Sequence, residues 1–232
     1  MKVILPFRDR TNYLRLTLAT IKEAMRGLKG IELILVNDAS DDKLPAIINE
    51  LPCTVWTRKE RVGPYGSKAV AVRRVFDEFD DKFVMTLDSD CIVHPMAFGV
   101  AAKMVADLPK MGLGTVFNTP KHTFNPKDIV KSRYVRKDFV GGLGTVIKKD
   151  AWEWYISCAS KYGQKHKVWD WDMCLWLKES KKWEIYCTFD SFVDHIGQSG
   201  SHSGPECPID RAFRFLEQDN PKEGKFHDYY QK

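Results

Sequence analysis

Two aspartates one residue apart, Asp88 and Asp90, close the apolar run Phe83-Val84-Met85-Thr86-Leu87. A buried strand ending in Asp-Ser-Asp presents two carboxylates together, and their oxygens suit a hard divalent cation. Mn²⁺ or Mg²⁺ fits such a site, because each keeps positions open for water and for diphosphate oxygens. A cation there would offset the negative charge that builds on a departing diphosphate. A calcium-binding EF-hand is excluded, since its glycine and its later acidic ligands are absent. Two more polar clusters follow apolar runs: Pro6-Phe7-Arg8-Asp9-Arg10, and Asn37-Asp38-Ala39-Ser40-Asp41-Asp42.

These clusters need elements to hold them. Residues 2–6 and 31–36 are short apolar strands, and 82–87 is a third; continuous apolar runs suit strands covered on both faces. Residues 11–25 place Leu14, Leu18, Ile21 and Met25 at helical spacing, and Gly27 stops the helix. Residues 45–51 and 67–79 are further helices, with 54–57 a short strand between them. The alternation predicts an α/β fold with a parallel sheet and right-handed crossovers. Ligands in such sheets bind beyond the carboxyl ends of the strands, so the three polar clusters are expected to converge on one edge. The second half is less regular: helices over 97–108, 152–162, 171–180 and 209–218, and strands over 112–118, 141–148 and 183–188.

Composition narrows the function classes. The chain has 232 residues, 44% apolar and 29% charged, which suits one soluble domain with a substantial core. No apolar run is long enough to span a bilayer, and the first ten residues lack the features of a secretory signal. Six cysteines occur without a Cys-x-x-Cys pair, which argues against structural zinc and a disulfide framework and for a reduced, cytoplasmic setting. Between residues 121 and 140, Lys121, Lys127, Lys131, Arg133, Arg136 and Lys137 face only Asp128 and Asp138, a local excess of +4. Such a stretch suits a phosphate-rich partner or a solvated face. A glycine-rich phosphate loop of the nucleotidyltransferase or dinucleotide-binding type is missing after the first strand.

The strings Ile4-Leu5-Pro6-Phe7-Arg8-Asp9-Arg10, Leu33-Ile34-Leu35-Val36-Asn37-Asp38-Ala39-Ser40-Asp41-Asp42 and Phe83-Val84-Met85-Thr86-Leu87-Asp88-Ser89-Asp90 resemble those of family 2 glycosyltransferases. The resemblance is strong over about the first hundred residues. It implies the GT-A fold: a Rossmann-like, mostly parallel central sheet flanked by helices, with a smaller mixed acceptor-side portion at the C-terminal end. One domain over 1–232 is expected, with a nucleotide-sugar half (1–95) and an acceptor half (96–232). The implied activity is transfer of a sugar from a nucleoside diphosphate, UDP foremost, to an acceptor hydroxyl. The acceptor is a glycan or its precursor, or alternatively a hydroxylated base in DNA; a non-enzymatic nucleic-acid-binding protein is a third reading.

By the same resemblance Pro6 and Arg8 line the nucleotide pocket, and Asp38 accepts a hydrogen bond from the base. Its other reading is a loop-end or helix-capping carboxylate. The segment Arg61-Val62-Gly63-Pro64-Tyr65-Gly66-Ser67-Lys68 matches a glycine-containing loop of the family, in which Lys68 or Arg73 could reach a phosphate and Arg61 is a further candidate for binding the donor. An inverting transfer needs a carboxylate base on the acceptor side. The family carries it where a helix opens after a glycine-rich strand, here Trp169-Asp170-Trp171-Asp172 after Gly141-Gly142-Leu143-Gly144. Trp169 stands in place of the family's glutamate, which leaves Asp170 and Asp172 as candidates. Trp169 and Trp171 offer flat faces to a ring or to the core. His195, in His-Ile-Gly, is a candidate third metal ligand, with His202 a second. Residues 198–205 are a candidate closing loop.

Overall fold

The computed structural model describes residues 1–119 and 126–197, with Ala212 and Phe215 beyond them. Strand β1 (Lys2–Phe7) leads into helix α1 (Thr11–Met25), and β2 (Glu32–Asn37) follows. A 3-10 turn over Ala46–Glu50, rather than an α-helix, connects to β3 (Cys53–Thr57). Helix α2 (Gly63–Glu78), β4 (Phe83–Thr86), β5 (Cys91–Val93), α3 (Ala97–Asp107) and β6 (Met111–Thr115) complete the first half. Then come β7 (Ile129–Val130), β8 (Tyr134–Arg136), β9 (Thr145–Lys148), α4 (Lys149–Tyr162), α5 (Trp169–Ser180), β10 (Glu184–Thr188) and β11 (Val193–His195).

The nine-stranded sheet runs in the order β3-β2-β1-β4-β9-β6-β10-β8-β7. Strands β3, β2, β1 and β4 are mutually parallel, β6 pairs with β10 in parallel, and β9 lies antiparallel between β4 and β6. The sheet is therefore mostly parallel, as expected, with β8 antiparallel beside β10. Side chains alternate between its faces. Val3, Leu5, Leu33 and Leu35 pack with Leu14, Leu18 and Ile21 of α1. Ile4, Ile34 and Val36 pack with Val72 and Val75 of α2 and with Met173 and Leu177 of α5. Because both faces are covered, these strands read as unbroken apolar runs.

Four expectations need correction. Gly63, Pro64 and Gly66 belong to the first turns of α2, not to a free loop; proline is tolerated there because the first helical N–H groups lack intrahelical partners anyway. Gly141, Gly142 and Gly144 precede β9 rather than forming its first part; Gly144 turns the chain at φ 62°. The basic stretch contains two short strands, β7 and β8, that extend the sheet. Strands β5 and β11, absent from the sequence reading, pair antiparallel as a separate ribbon with His195 opposite Cys91. Each is three residues long, too short to show periodicity. Of the expected helix over 209–218 only Ala212 and Phe215 are described, and Phe215 bridges Ser191 in parallel β fashion; the candidate loop over 198–205 and His202 lie outside the described residues.

Candidate active site

The three polar clusters meet at the carboxyl edge of β1, β2 and β4. Ser40 is the link between the first two. Its hydroxyl accepts the Asp9 N–H at 3.0 Å and donates to the Asp9 carboxylate at 3.0 Å. Asn37 folds its own loop, accepting the Ser40 N–H at 2.7 Å and donating to the Ser40 carbonyl at 3.1 Å. The third cluster joins through Arg10, whose guanidinium lies 3.0 Å from Asp90 Oδ2. Asp9, Arg10 and Ala39 all hold positive φ, a conformation non-glycine residues adopt rarely, so this junction is a strained and tightly determined turn.

Helix α1 clamps the Asp-Ser-Asp turn. The buried Thr17 hydroxyl donates to the Ser89 and Cys91 carbonyls at 3.0 and 2.8 Å, and accepts the Cys91 N–H at 3.1 Å. Asp90 is nearly buried. Its carboxylate meets Arg10 on one oxygen and His195 Nε2, at 3.1 Å, on the other. Burial alone would raise the Asp90 pKa, but the hydrogen bond and charge of His195, with Arg10 and Lys68, hold it below the usual carboxylate range. Burial likewise opposes the charged form of His195, and the Asp90 hydrogen bond, with the charges of Asp90 and Asp88, outweighs it and raises the imidazole pKa. Ile196 N–H donates to the Asp90 carbonyl at 2.9 Å. Gly197 lies so close that a Cβ there would fall 2.0 Å from Asp90 Oδ2.

Asp88 is the more open of the pair and faces Lys68. The buried ammonium lies 2.5 Å from Asp88 Oδ1 and donates to the Gly142 carbonyl at 2.8 Å. Thr86 donates to the same carbonyl at 3.2 Å and shares a 2.5 Å contact with Thr145 across the β4–β9 pair. The Gly142 backbone is thus held from two sides. On it rests Asp170: a Cβ at Gly142 would meet Asp170 Oδ2 at 3.0 Å and Lys68 Nζ at 3.5 Å. Asp170, from the first turn of α5, is buried; desolvation raises its pKa, the Trp171 N–H and Lys68 pull it down, Asp88 pushes it up, and the net shift is upward.

A profile of glycosyl transferase family 2 matches residues 2–151. The chain belongs to this family. No curated protein matches it in sequence. The glycosyltransferase fold is borne out by two solved structures. Staphylococcus aureus TarS (residues 1–349), solved with UDP-GlcNAc, superposes with a TM-score of 0.61 at 15% identity over 87% of this chain. The mannosyltransferase PcManGT of Pyrobaculum calidifontis, solved with GDP-Man and Mn²⁺, gives 0.54 at 17% identity over 79%. The chain spans 59% and 53% of those two structures. The family profile covers the sheet edge that carries Asp88 and Asp90 and stops before Asp170, so the reading of Asp170 rests on this chain's own geometry.

In this family 2 chain the two aspartates of α5 part company. Asp172 is fully buried against α4, where its carboxylate accepts from the Tyr155 hydroxyl at 2.9 Å, the Lys165 N–H at 2.6 Å and the His166 N–H at 3.0 Å. Only Asp170 reaches the cluster. Asp38 takes the capping geometry: its oxygens accept the Val62 and Gly63 N–H groups at 3.0 and 2.8 Å, fixing the start of α2. Arg8 is half-buried with Nε 3.3 Å from Asp9, Pro6 is buried within β1, and Arg61 is exposed one residue before the Asp38-bound Val62. Lys68 does not project as a free phosphate ligand; it is spent on Asp88 and Gly142. The role of Arg10 is not legible in the sequence, because its partner lies 80 residues away. Trp169 packs in the core, edge-on to Trp152 at 6.0 Å.

Among the described residues no three His, Cys, Asp or Glu side chains are already grouped as a metal cage. The donor types nonetheless suit a hard cation: Asp90 carries His195 and Arg10, and Asp88 carries Lys68, so both carboxylates already draw positive charge to this edge. The basic stretch is less open than its sequence suggests. Lys137 is buried and donates to Asn118 at 2.7 Å, Arg136 pairs with Asp128 at 3.0 Å, and Lys131 lies 3.7 Å from Asp107.

Proposed function

We propose that this chain is the catalytic domain of an inverting glycosyltransferase that moves a sugar from a nucleoside diphosphate, UDP foremost, to a hydroxyl of a glycan or glycan precursor. The observation that carries the reading is the convergence of Lys68 and Asp170 on Gly142, with Asp88 paired to the same Lys68, which brings a donor-side carboxylate and a buried carboxylate of the opposite half to one lysine. Asp170 is the base. It accepts the acceptor's hydroxyl proton as that oxygen attacks the anomeric carbon from the face opposite the diphosphate; the bond to the diphosphate breaks and its electron pair leaves on the phosphate oxygen. An upward-shifted carboxylate is the stronger base and suits this task. Gly142, pinned by Lys68 and Thr86, fixes where Asp170 points.

Asp88, Asp90 and His195 would hold Mn²⁺ or Mg²⁺, which when bound supplies charge neutralisation to the diphosphate. Pro6, Arg8 and Arg61 border the nucleotide side. Asp38 anchors that side, and a carboxylate with one bond on each oxygen keeps capacity to accept from an imide N–H. UDP is therefore expected to bind more tightly than CDP; equal affinities would remove Asp38 from base recognition.

Titration calorimetry of UDP with and without Mn²⁺ tests the reading directly. Saturable binding that strengthens with Mn²⁺ is expected, and Asp88→Ala should abolish that strengthening. Failure of UDP, GDP and CDP alike to bind, at any metal concentration, would sink the assignment.

A further inference from the structure

Strand β3 is the outer strand on one side of the nine-stranded sheet, and among the described residues nothing pairs with its free edge. It runs in unbroken parallel register with β2, from Leu33 opposite Cys53 to Asn37 opposite Thr57. The ladder fixes which peptide groups point outward. The Pro52 carbonyl accepts the Leu33 N–H at 2.9 Å, and the Arg58 N–H donates to the Asn37 carbonyl at 3.0 Å. Even-numbered residues therefore turn their peptide groups to β2, and Cys53, Val55 and Thr57 turn theirs to solvent. Sheets usually guard such an edge with a charge, a proline, a bulge or a very short strand. The sequence Cys-Thr-Val-Trp-Thr carries none of these guards, whereas β7, on the opposite edge, is only two residues long.

The outward groups are complementary to themselves. A second copy of β3 laid antiparallel, about a two-fold axis through Val55, sets Val55 against Val55 and Cys53 against Thr57. Each of those residues carries an outward N–H and C=O, so every such pair is of the hydrogen-bonded kind. A slip of one residue sets outward groups against inward ones and loses the bonds. Side chains fit the same register. Val55, 38% exposed, meets its own copy as a β-branched cross-strand pair. On the other face Thr54 lies opposite Trp56, whose ring is held by the Arg74 guanidinium at 4.0 Å. The exposed Val70 precedes Arg74 by one helical turn and adds apolar surface on that side.

Charge gives the pairing its direction. The N-terminal end of β3 is flanked by Glu32 and Glu50, which also pair with Lys2 and Lys22. The C-terminal end continues into Arg58, Lys59 and Arg61 against Glu60 alone. An antiparallel copy brings these unlike ends together, while a parallel one would set the basic ends side by side. It places Arg58 opposite Pro52, at the cleft that Glu32, Pro52 and Thr54 line. The Arg58 Nε is buried, without a hydrogen-bond partner among the described residues, and lies 3.9 Å from Asp38. We propose that β3 is a homodimer interface, where two copies of this chain join edge to edge into one continuous sheet. Because the strands run antiparallel, the two carboxyl edges face opposite ways. The inference is independent of the donor-site reading.

Sedimentation velocity of the whole chain over a range of concentrations should show a reversible monomer–dimer equilibrium. Val55→Pro deletes an outward N–H and leaves the β2 ladder intact. It should weaken the dimer about thirtyfold, the scale of two lost inter-strand hydrogen bonds, one from each copy. Val55→Lys opposes two ammonium groups at the axis and should also dissociate the dimer. Thermal melts report whether each variant folds. Register is read by Val55→Cys, whose Cα atoms lie about 5.5 Å apart across a hydrogen-bonded pair, so oxidation should give a covalent dimer above the parent's background. Thr54→Cys, opposite Trp56, should give none. A parent that stays monomeric at every concentration would overturn the proposal. So would a dimer that folded Val55→Pro and Val55→Lys leave unchanged. Slow amide exchange at Val55 in a monomeric parent would assign the edge to another segment of the same chain, and would overturn it as well.

Discussion

Asp170 and Asp172 are two residues apart and chemically identical, yet the fold gives them opposite work. Asp172 answers a hydroxyl and two backbone N–H groups that would otherwise be buried without acceptors. Asp172→Ala should therefore destabilise the protein by about 3 kcal/mol, a fall of roughly 6–12 °C in Tm by calorimetry. Asp170 is the reverse case. Its pKa is raised in the fold, so ionising it costs stability as pH climbs from about 3.9 through the folded value. Asp170→Asn removes that cost and keeps an acceptor for the Trp171 N–H. The variant should melt no lower than the parent at neutral pH, bind UDP normally and lose transfer. The same shift places the acid limb of the parent's kcat profile above pH ~4. Full turnover by Asp170→Asn would move the base elsewhere.

At the scale of elements, the site depends on β9 and the glycines before it more than on any one catalytic side chain. Strand β9 inserts antiparallel between β4 and β6, and that insertion carries Gly142 to the end of β4. Thr86 and Lys68 then hold the Gly142 carbonyl from β4 and α2. A methyl at this position would press on Asp170 at 3.0 Å. Gly142→Ala should accordingly lower kcat at least tenfold, with UDP affinity within about twofold of the parent, in steady-state kinetics paired with calorimetry. An unchanged kcat would show that Asp170 does not need this contact. Helix α5 makes a related point. It is only weakly amphipathic, with buried aspartates on two sides, because one faces α4 and the other faces the sheet edge.

At the scale of the molecule, the two halves of the chain are joined by charge. Lys68 on α2 neutralises Asp88 from the first half while sitting beside Asp170 from the second. A ligand that engages both halves should brace the whole sheet. At about 100 Kd of UDP with Mn²⁺, linkage gives roughly 2.7 kcal/mol of stabilisation, so Tm should rise about 5–10 °C in a scanning-fluorimetry titration. A rise with Mn²⁺ alone that UDP does not increase would count against a diphosphate site. Among the described residues no helix is long and apolar enough to cross a membrane.

Much of this protein is written in its residue order. The apolar runs at 31–36 and 82–87 are strands because a sheet covered on both faces needs unbroken hydrophobic sequence, and the helix over 11–25 follows from its spacing of leucines. The polar clusters at strand ends marked the edge where chemistry belongs, since parallel strands all release their loops on one side. Which of two aspartates reaches that edge was not legible. A helix turns 100° per residue, so Asp170 and Asp172 point to different neighbours, and only the packing of α4 and β9 says which neighbours those are. The pairing of Arg10 with Asp90, and of Lys68 with Asp88, likewise waited for the tertiary structure. Local sequence specifies local geometry; charges many residues apart become partners only when the sheet is assembled.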